Sequence, residues 1–596
     1  MIKSKANETY TGEEGGIYLW CKKCNKETDD KICSTCGMKT QEDISVEVYW
    51  CGECKVPIIR EANSLTKHQC PLCKGASNYL CADLRPVFPE ERLLLEILRN
   101  KPLHYINNSV WAADSRYYID GNPKMLSRAV MQSANIFKVR EQLAQYKEEN
   151  NYEKFNIDVE RFIEANKERL DLLKTEASTF VRETVNSYPN EQPVVSFSGG
   201  KDSSVTSDLV MRALGNPRVT HIFGNTTLEF PLTMTYVERF RKDNHITVFR
   251  TAINTEQNFY SVCEDIGPPS RVMRWCCTMF KTGPITKRIN AMFRDKSILT
   301  FYGIRKCESV SRSKYNRIEK DSENVKIRKQ RVASPVFYWK DIDIWLYLLA
   351  EKLDFNDAYR LGYDRVGCWC CPNNSERSQL LAKIYMPEQA EKWRTFLVDF
   401  AKRIGKPDAE VYIDSGNWKA RQGGNGLEAA QDIKIAYTNC TVEDNAKIYR
   451  INKPIDKDFY TLFIPFGIVS TELGRKLIGE VLVLDKKTKM PILAITPHKA
   501  DGYNYAVKIK TLNVKNHEDL QRMVSYQIRK FNACRKCLKC ESVCKHRAIS
   551  INKGEYRISA EKCKQCKMCI TAKYLEGGCF MYGYLKQRED YDEHKN

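Results

Sequence analysis

The chemistry in this sequence is concentrated in one loop and in its cysteines. Ser198-Gly199-Gly200-Lys201-Asp202-Ser203 follows the apolar run VVSF and leads into SSVTSDLVMRAL, a helical pattern. Two glycines let backbone amides approach an oxyanion closely. Lys201 adds charge, Ser198 and Ser203 add hydroxyls, and a helix starting near Asp202 points its positive end at the anion. The string reads as a phosphate cradle. The 25 cysteines are grouped. Eight lie between 21 and 73, as the pairs Cys21/Cys24, Cys33/Cys36, Cys51/Cys54 and Cys70/Cys73, and eight lie between 534 and 579. Cys276-Cys277 and Cys368-x-x-Cys371 form a further set, with Cys370 inside the second pair. Clustered cysteines in a large reduced chain bind metal more often than they form disulfides.

Spacing separates the kinds of metal. Cys51/Cys54 and Cys70/Cys73 stand fifteen residues apart, in the zinc-ribbon range, and Cys21/Cys24 and Cys33/Cys36 stand eight apart. Four thiolates at such spacing make a tetrahedral cage for structural Zn2+, with rubredoxin-like iron as the competing reading. Cys81 and His68 read as incidental. Cys534-x2-Cys537-x2-Cys540-x3-Cys544 has the spacing of a [4Fe–4S] ligand run; Cys563-x2-Cys566-x2-Cys569 repeats it, and Cys579 closes the set.

Length and charge bound the rest. At 596 residues, 42% hydrophobic, the chain is expected to form three to five domains. No apolar run is long enough to span a membrane, and MIKSKANETYTGEEGG has no signal-like stretch. A cytoplasmic protein with no membrane partner is expected. The net charge of +20 fits either a solvated lysine-rich surface or a polyanionic partner. Gly303 to Val332 holds ten Lys or Arg against four acids.

Several elements must position these residues. VVSFS (194–198), VTHIFG (219–224), ITVFR (246–250) and ILTFYG (298–303) read as strands separated by helices, which predicts a doubly wound α/β parallel sheet. In such sheets ligands sit beyond the carboxyl ends of the strands. The chain divides into tandem zinc ribbons (1–80), a small α+β unit (81–140), connecting helices (141–190) and the α/β core (191–405). A linker (406–431), a β-rich module (432–530) and a [4Fe–4S] module (531–596) follow.

SGGKDS resembles the signature of PP-loop ATP pyrophosphatases, and the residues after it resemble the phosphoadenosine phosphosulfate (PAPS) reductase family. Thr226-Thr227-Leu228-Glu229-Phe230-Pro231 is similar to that family's TGxExPET, and Arg274-Trp275-Cys276-Cys277 with Lys281 and Pro284 to its R-x-C-C-x3-K-x2-P. Gly303, Arg305, Glu308, Ser309 and Arg312 resemble G-x-R-x2-E-S-x2-R, and Pro335, Trp339, Asp343 and Trp345 resemble P-x3-W-x3-D-x-W. The resemblance spans about 190 to 375. It implies an adenine nucleotide alpha hydrolase-like core that binds ATP or (phospho)adenylylsulfate. Ser198, Gly199, Gly200, Lys201, Asp202, Ser203, Thr226, Glu229, Arg274, Lys281, Gly303, Arg305 and Arg312 would bind the nucleotide, with Lys201, Asp202 and Arg305 acting catalytically. It also implies a [4Fe–4S] cluster on Cys276, Cys277, Cys368 and Cys371, with Trp369 as a water shield and Cys370 as a substitute ligand or sulfur acceptor. Two-cluster ferredoxins exchange the fourth cysteine of each run. By that resemblance Cys534, Cys537, Cys540 and Cys579 hold one cluster, and Cys544, Cys563, Cys566 and Cys569 the other.

The reductases carry a nucleophilic cysteine in a C-terminal ECGxH tail, whereas the final residues here read YLKQREDYDEHKN. Cys263, Cys307, Cys370 and Cys440 are the candidate replacements, with Cys307 best placed. The whole assembly resembles multidomain PAPS reductase-like proteins fused to a ferredoxin and a PUA-like RNA-binding module, the last expected within 432–515. The first expectation is ATP-dependent sulfur transfer to a nucleic acid, tRNA or DNA, served by a sulfur- or electron-donor protein. The alternatives are reduction of (phospho)adenylylsulfate to sulfite, and a nucleotide-sensing nucleic-acid-binding or electron-relay subunit without turnover.

Overall fold

The computed structural model describes residues 46–587, apart from 62–63, 65, 67, 114–115, 295, 310–311, 321–329, 432, 434, 501–502 and 574. Before residue 46 it describes three short strands, Leu19–Cys21, Lys26–Thr28 and Gln41–Glu42, which pair antiparallel. The cage expected on Cys21, Cys24, Cys33 and Cys36 lies outside the described side chains.

The central sheet follows from four apolar runs and one hairpin. Its strands are β1 (Glu191–Phe197), β2 (Thr220–Asn225), β3 (Phe249–Ile253), β4 (Ser297–Phe301), β5 (Ile318–Lys320) and β6 (Gln330–Ala333). They lie in the order β3-β2-β1-β4-β6-β5, all parallel except β5, which runs antiparallel to β6. Alternate residues of β1 face opposite sides of the sheet. Val195 packs with Val181, Val210 and Phe301 on one side, and Val194 packs with Ile222, Ile289 and Ile298 on the other. Burial on both faces explains why these runs read as continuous apolar stretches.

The helices of this domain are α1 (Lys201–Leu214), α2 (Pro231–Asp243), α3 (Phe259–Ile266), α4 (Gly283–Met292) and α5 (Asp341–Ala350). The strand expected at 246–250 begins at Phe249. Residues 244–247 instead close a turn after α2, with Thr247 N donating to the Asn244 carbonyl at 2.9 Å. Strand order reverses between β1 and β4, so a crevice opens beyond their carboxyl ends.

The other modules attach to this core. Val46–Cys51, Val56–Glu61 and Ser77–Cys81 form a three-stranded antiparallel sheet. Buried Asn166, between helices Glu153–Ala165 and Lys167–Ser187, fixes it: its Oδ1 accepts from Ile59 N (2.7 Å) and its Nδ2 donates to the Pro57 carbonyl (3.0 Å). The β-rich module is a six-stranded antiparallel sheet between Tyr437 and Thr511, followed by helix His517–Ala533. The stretch expected as a linker, 406–431, is folded onto the core instead. It carries helix Ala409–Asp414 and a 3-10 turn Asn417–Ala420, and both Trp418 and Lys419 are buried. Among the described residues no helix is long and apolar enough to cross a membrane.

Just past β4, a Cβ on Gly303 would lie 2.5 Å from the Asp202 carbonyl oxygen and 2.9 Å from Ser203 N. Backbone cannot yield there as a side-chain tip can. Gly303→Ala should therefore push β4 from the start of α1, lowering Tm by several degrees, as calorimetry would show.

Candidate functional site

The loop after β1 is shaped by glycine. Gly199 has φ +72°, and a Cβ there would come 2.8 Å from Thr233 Cγ2. Its carbonyl accepts from Asn356 Nδ2 (3.1 Å), and the Gly200 carbonyl accepts from Ser203 Oγ (2.7 Å) and Ser204 Oγ (3.2 Å). The amides of Ser198, Gly200 and Lys201 donate to the hydroxyls of Ser203 (3.1 Å), Ser198 (3.4 Å) and Tyr359 (3.1 Å). A phosphate oxygen is charged and is the stronger acceptor for the same donors.

Beneath the loop lies a buried charge network. Lys201 is 4% exposed; its Nζ reaches Asp341 at 3.0 Å and Asp202 at 3.4 Å. Arg305 is 5% exposed and bridges the same two carboxylates, with Nη2 donating to Asp341 at 2.8 Å and Nε to Asp202. Burial alone would neutralise Lys201, but the charges of Asp202 and Asp341 outweigh it and hold the ammonium above its usual range. Burial likewise opposes ionisation of Asp202, yet Lys201 and Arg305 bring it down to about 2. Asp83, from the N-terminal α+β unit, closes the network. Its carboxylate accepts from the amides of Asp341 (3.0 Å) and Ile342 (3.1 Å) at the start of α5. Burial and the neighbouring Asp341 raise Asp83 to about 6.

Further cations lie at the crevice. Arg312 pairs with Glu308, and its guanidinium is held below its usual range by burial and then by Arg365. Cys307 donates its thiol to the Trp339 carbonyl (3.4 Å) and receives Arg305 Nη1 (3.5 Å). Desolvation raises that thiol, so it is not a ready thiolate. The basic stretch 303–332 splits by role. Arg305 and Arg312 serve the crevice, whereas Arg317 binds Glu176 and stacks on Phe180, and Lys320 and Arg331 bind Glu191. Lys326, Arg328 and Lys329 lie outside the described residues.

The cysteines of this domain converge beside the crevice. Cys276 precedes a π-helical turn, Cys277–Thr282, an irregularity common at functional sites. Glu229 bridges Cys368 as an isolated antiparallel pair, and Trp369 N donates to the Leu228 carbonyl at 2.9 Å. Thr226 Oγ1 donates to Glu229 Oε1 (2.8 Å) and lies 3.6 Å from Cys368 Sγ. Thr226 thus ties the end of β2 to Cys368, and Val366, two residues before Cys368, lies beside Gly200 of the loop. Cys276 is raised well above a normal thiol by its hydrogen bond with Cys277, by burial and by the charges of Cys277 and Cys368. Crowded thiols resist ionisation unless a cationic centre is among them. Cys277, Cys368 and Cys370 are the thiols that neighbour Cys276, and Cys371 follows on the same turn, its amide donating to the Cys368 carbonyl at 3.1 Å. Lys281 neighbours Cys368. Cys370 also lies with Cys263 in an apolar cluster of Phe259, Trp275 and Trp393, and desolvation holds both as thiols. Cys440, in the β-rich module, and exposed Arg274, a neighbour of Tyr584, are not brought to the loop by any described contact.

The C-terminal cysteines form two groups. Cys537 is surrounded by Cys579, Cys540 and Cys534, and Cys563 by Cys544 and Cys566. Cys569 lies near Cys540 as well as Cys544 and Cys563, which places the groups side by side. The backbone repeats between the runs: Lys536 and Leu538 have positive φ, and so do Gln565 and Lys567. Such turns curl amides around an enclosed anionic centre. Both sets have the donors for [4Fe–4S] clusters.

The N-terminal cage is compact. The sulfurs of Cys51, Cys54, Cys70 and Cys73 all lie within 4.8 Å of one another. Cys54 N and Gly75 N each donate to a cage sulfur at 3.4 Å. This is a closed four-thiolate site, which fits structural Zn2+.

Sequence reading missed Asp83, Asp341, Tyr359, Asn356 and Arg365, which come from four separate segments. Asp341 stands two residues before Asp343 of the P-x3-W-x3-D-x-W resemblance, and was the nearest signal. Asp343 itself binds Arg169 in the packing between helices.

A phosphate loop at the switch point of a parallel sheet, walled by paired basic and cysteine motifs, defines a PP-loop nucleotide-binding domain. Residues 192–374 match the phosphoadenosine phosphosulfate reductase domain. An uncharacterised protein of Methanocaldococcus jannaschii is 33% identical over 48% of this chain and 58% of its own length. The chain thus spans little more than half of that relative. The adenosine 5'-phosphosulfate reductase of Lysinibacillus sphaericus is 24% identical over 34% of this chain and 82% of its own. The crystal structure of a PAPS reductase from Candida auris aligns at 16% identity and TM-score 0.27, covering 34% of this chain and 96% of that one.

Asp83 carries a pH dependence of defined sign. Its folded-state value near 6 lies above the ordinary 3.8, so its ionisation opposes folding as pH rises from about 4 to 6. Asp83→Asn keeps an acceptor for the α5 amides without the charge. The variant should match the wild type below pH 4 and exceed it by up to about 3 kcal/mol above pH 6. Urea melts across that range check it; a difference independent of pH would disprove the assignment.

Proposed function

We propose that the chain catalyses ATP-dependent sulfur transfer to a nucleic acid. The observation that supports this reading is that Val366 lies beside Gly200 of the loop while Cys368, two residues on, contacts Thr226 and neighbours Cys276. An acceptor oxygen attacks the α-phosphorus of ATP, the α–β bridge breaks, and pyrophosphate leaves into the loop. The amides of Ser198 to Lys201 and the Arg305 and Arg312 guanidiniums stabilise the developing charge. Lys201 and Arg305 begin paired with Asp202 and Asp341, so the cradle is fixed before substrate arrives. A cluster on Cys276, Cys277, Cys368 and Cys371 would present sulfur beside the adenylated acceptor, and displacement of AMP completes the exchange. The overall charge of +20 favours a polyanionic acceptor.

Purified anaerobically, the chain should carry about twelve irons and two zincs. It should release pyrophosphate from ATP when tRNA or DNA acceptors are supplied. Lys201→Ala should cut that release at least about 100-fold. No pyrophosphate with any nucleic acid tested would end this reading. A second reading, adenylylsulfate reduction, is favoured by the likeness to the Lysinibacillus reductase over 82% of that protein. Sulfite from labelled adenylylsulfate, driven by reduced clusters, would select it.

A further inference from the structure

The two C-terminal cysteine groups have opposite surroundings. The inner group, Cys534, Cys537, Cys540 and Cys579, is pressed against the PP-loop domain. Leu538 lies where a Cβ on Gly283, the first residue of α4, would come within 2.7 Å of it. Arg535 pairs with Asp265, Ser542 Oγ donates to Thr286 Oγ1 (3.4 Å), and Lys287 Nζ donates to the Ile551 carbonyl (3.1 Å). Tyr584 lies between Cys537 on one side and Cys276 and Cys277 on the other.

The outer group is Cys544, Cys563, Cys566 and Cys569. Cys566 is exposed and Cys544 half-buried, whereas Cys563 and Cys569 are buried. Lysines ring it. Lys562, Lys564 and Lys567 interleave its own cysteines, Lys545 follows Cys544, and Lys486, on a turn of the β-rich module with Lys487, neighbours Cys563. Glu561 is the acid nearest in sequence. Between the groups sits Lys530, 1% exposed, with Nζ donating to the Cys569 carbonyl at 2.5 Å. Burial opposes its charge, but the surrounding Cys540, Cys569, Cys579 and Cys534 sustain it. A fixed cation at the junction lowers the energy of an added electron on either side.

We propose that the outer group is an electron port on which a small acidic one-electron carrier protein docks. The reading rests on the iron–sulfur assignment above. The carrier is oxidised by one electron and the outer group is reduced by one; no bond forms or breaks. Order in space then sets the route: outer group, inner group, and the cysteines at 276, 277, 368 and 371. A lysine rim around a nearly exposed redox centre steers an acidic partner by charge and holds it briefly.

The test uses the full chain, purified anaerobically, and an acidic [2Fe–2S] ferredoxin reduced photochemically. Stopped-flow bleaching of the visible iron–sulfur absorbance reads the second-order rate. The wild-type rate should fall steeply as salt is raised. In Lys562→Glu/Lys564→Glu/Lys567→Glu it should drop about tenfold or more and lose most of its salt dependence. Lys486→Glu/Lys487→Glu, on a different module, should lower it in the same direction. Dithionite bleaching and iron content show whether each variant retains its clusters. A chain that never bleaches or carries no iron overturns the cluster reading and the port with it. Intact clusters reduced by the ferredoxin at wild-type rate in both variants overturn the port alone. So does loss of tRNA or DNA affinity in those variants with unchanged electron transfer, which would make the face a nucleic-acid surface.

Discussion

Four paired charges, buried Lys201 and Arg305 with half-buried Asp202 and Asp341, are the constraint on which the nucleotide site depends. The two buried cations would be unstable alone, and each of the four is held by two of the others. Because they come from the start of α1, the loop after β4 and the start of α5, the network fixes three segments at one point. Asp83 extends it to the N-terminal module by capping α5. The anion cradle above is therefore set by electrostatic balance below, and altering any partner moves the others.

The metal-binding modules differ in how they are tied to this centre. The four-thiolate cage at Cys51 to Cys73 closes a small sheet that reaches the core through Asn166 and the connecting helices. The C-terminal module meets the core directly, at the helices that flank Cys276 and Cys277. One attachment is a brace and the other adjoins the chemistry. The Arg317–Glu176 and Arg331–Glu191 pairs show how part of a strongly basic surface is consumed in bracing the sheet edge.

Much of this was legible in the sequence because its signals are local. The loop SGGKDS, the strands at 194–198 and 298–303, and the repeated cysteine spacing each state their structure within a dozen residues. The resemblance to two-cluster ferredoxins implied Cys544 with the second run and Cys579 with the first, and in the fold Cys544 neighbours Cys563 and Cys579 neighbours Cys537. Asp83, Asp341, Tyr359 and Arg365 were not, since nothing in their neighbours marks a residue that acts on a loop 120 to 160 positions away. Cys370 inside Cys368-x-x-Cys371 suggested a substitute ligand or sulfur acceptor, and in the fold it neighbours Cys276 while packing in the apolar cluster with Cys263. The segment 416–426 read as a linker or ordered loop, and its glycines permit close packing.

That packing bears on how the molecule is made. Gly424 N donates to the Lys586 carbonyl (3.0 Å), and Arg421 is locked onto the carbonyls of Ile266 and Pro268. Lys419, four residues before the glycine pair, donates to the Asn374 carbonyl just behind Cys371. The wall holding Cys276, Cys277, Cys368 and Cys371 is therefore covered by residues more than two hundred positions after it. The PP-loop sheet can form early, but the cover over its cysteine wall waits for residues near 586 to dock.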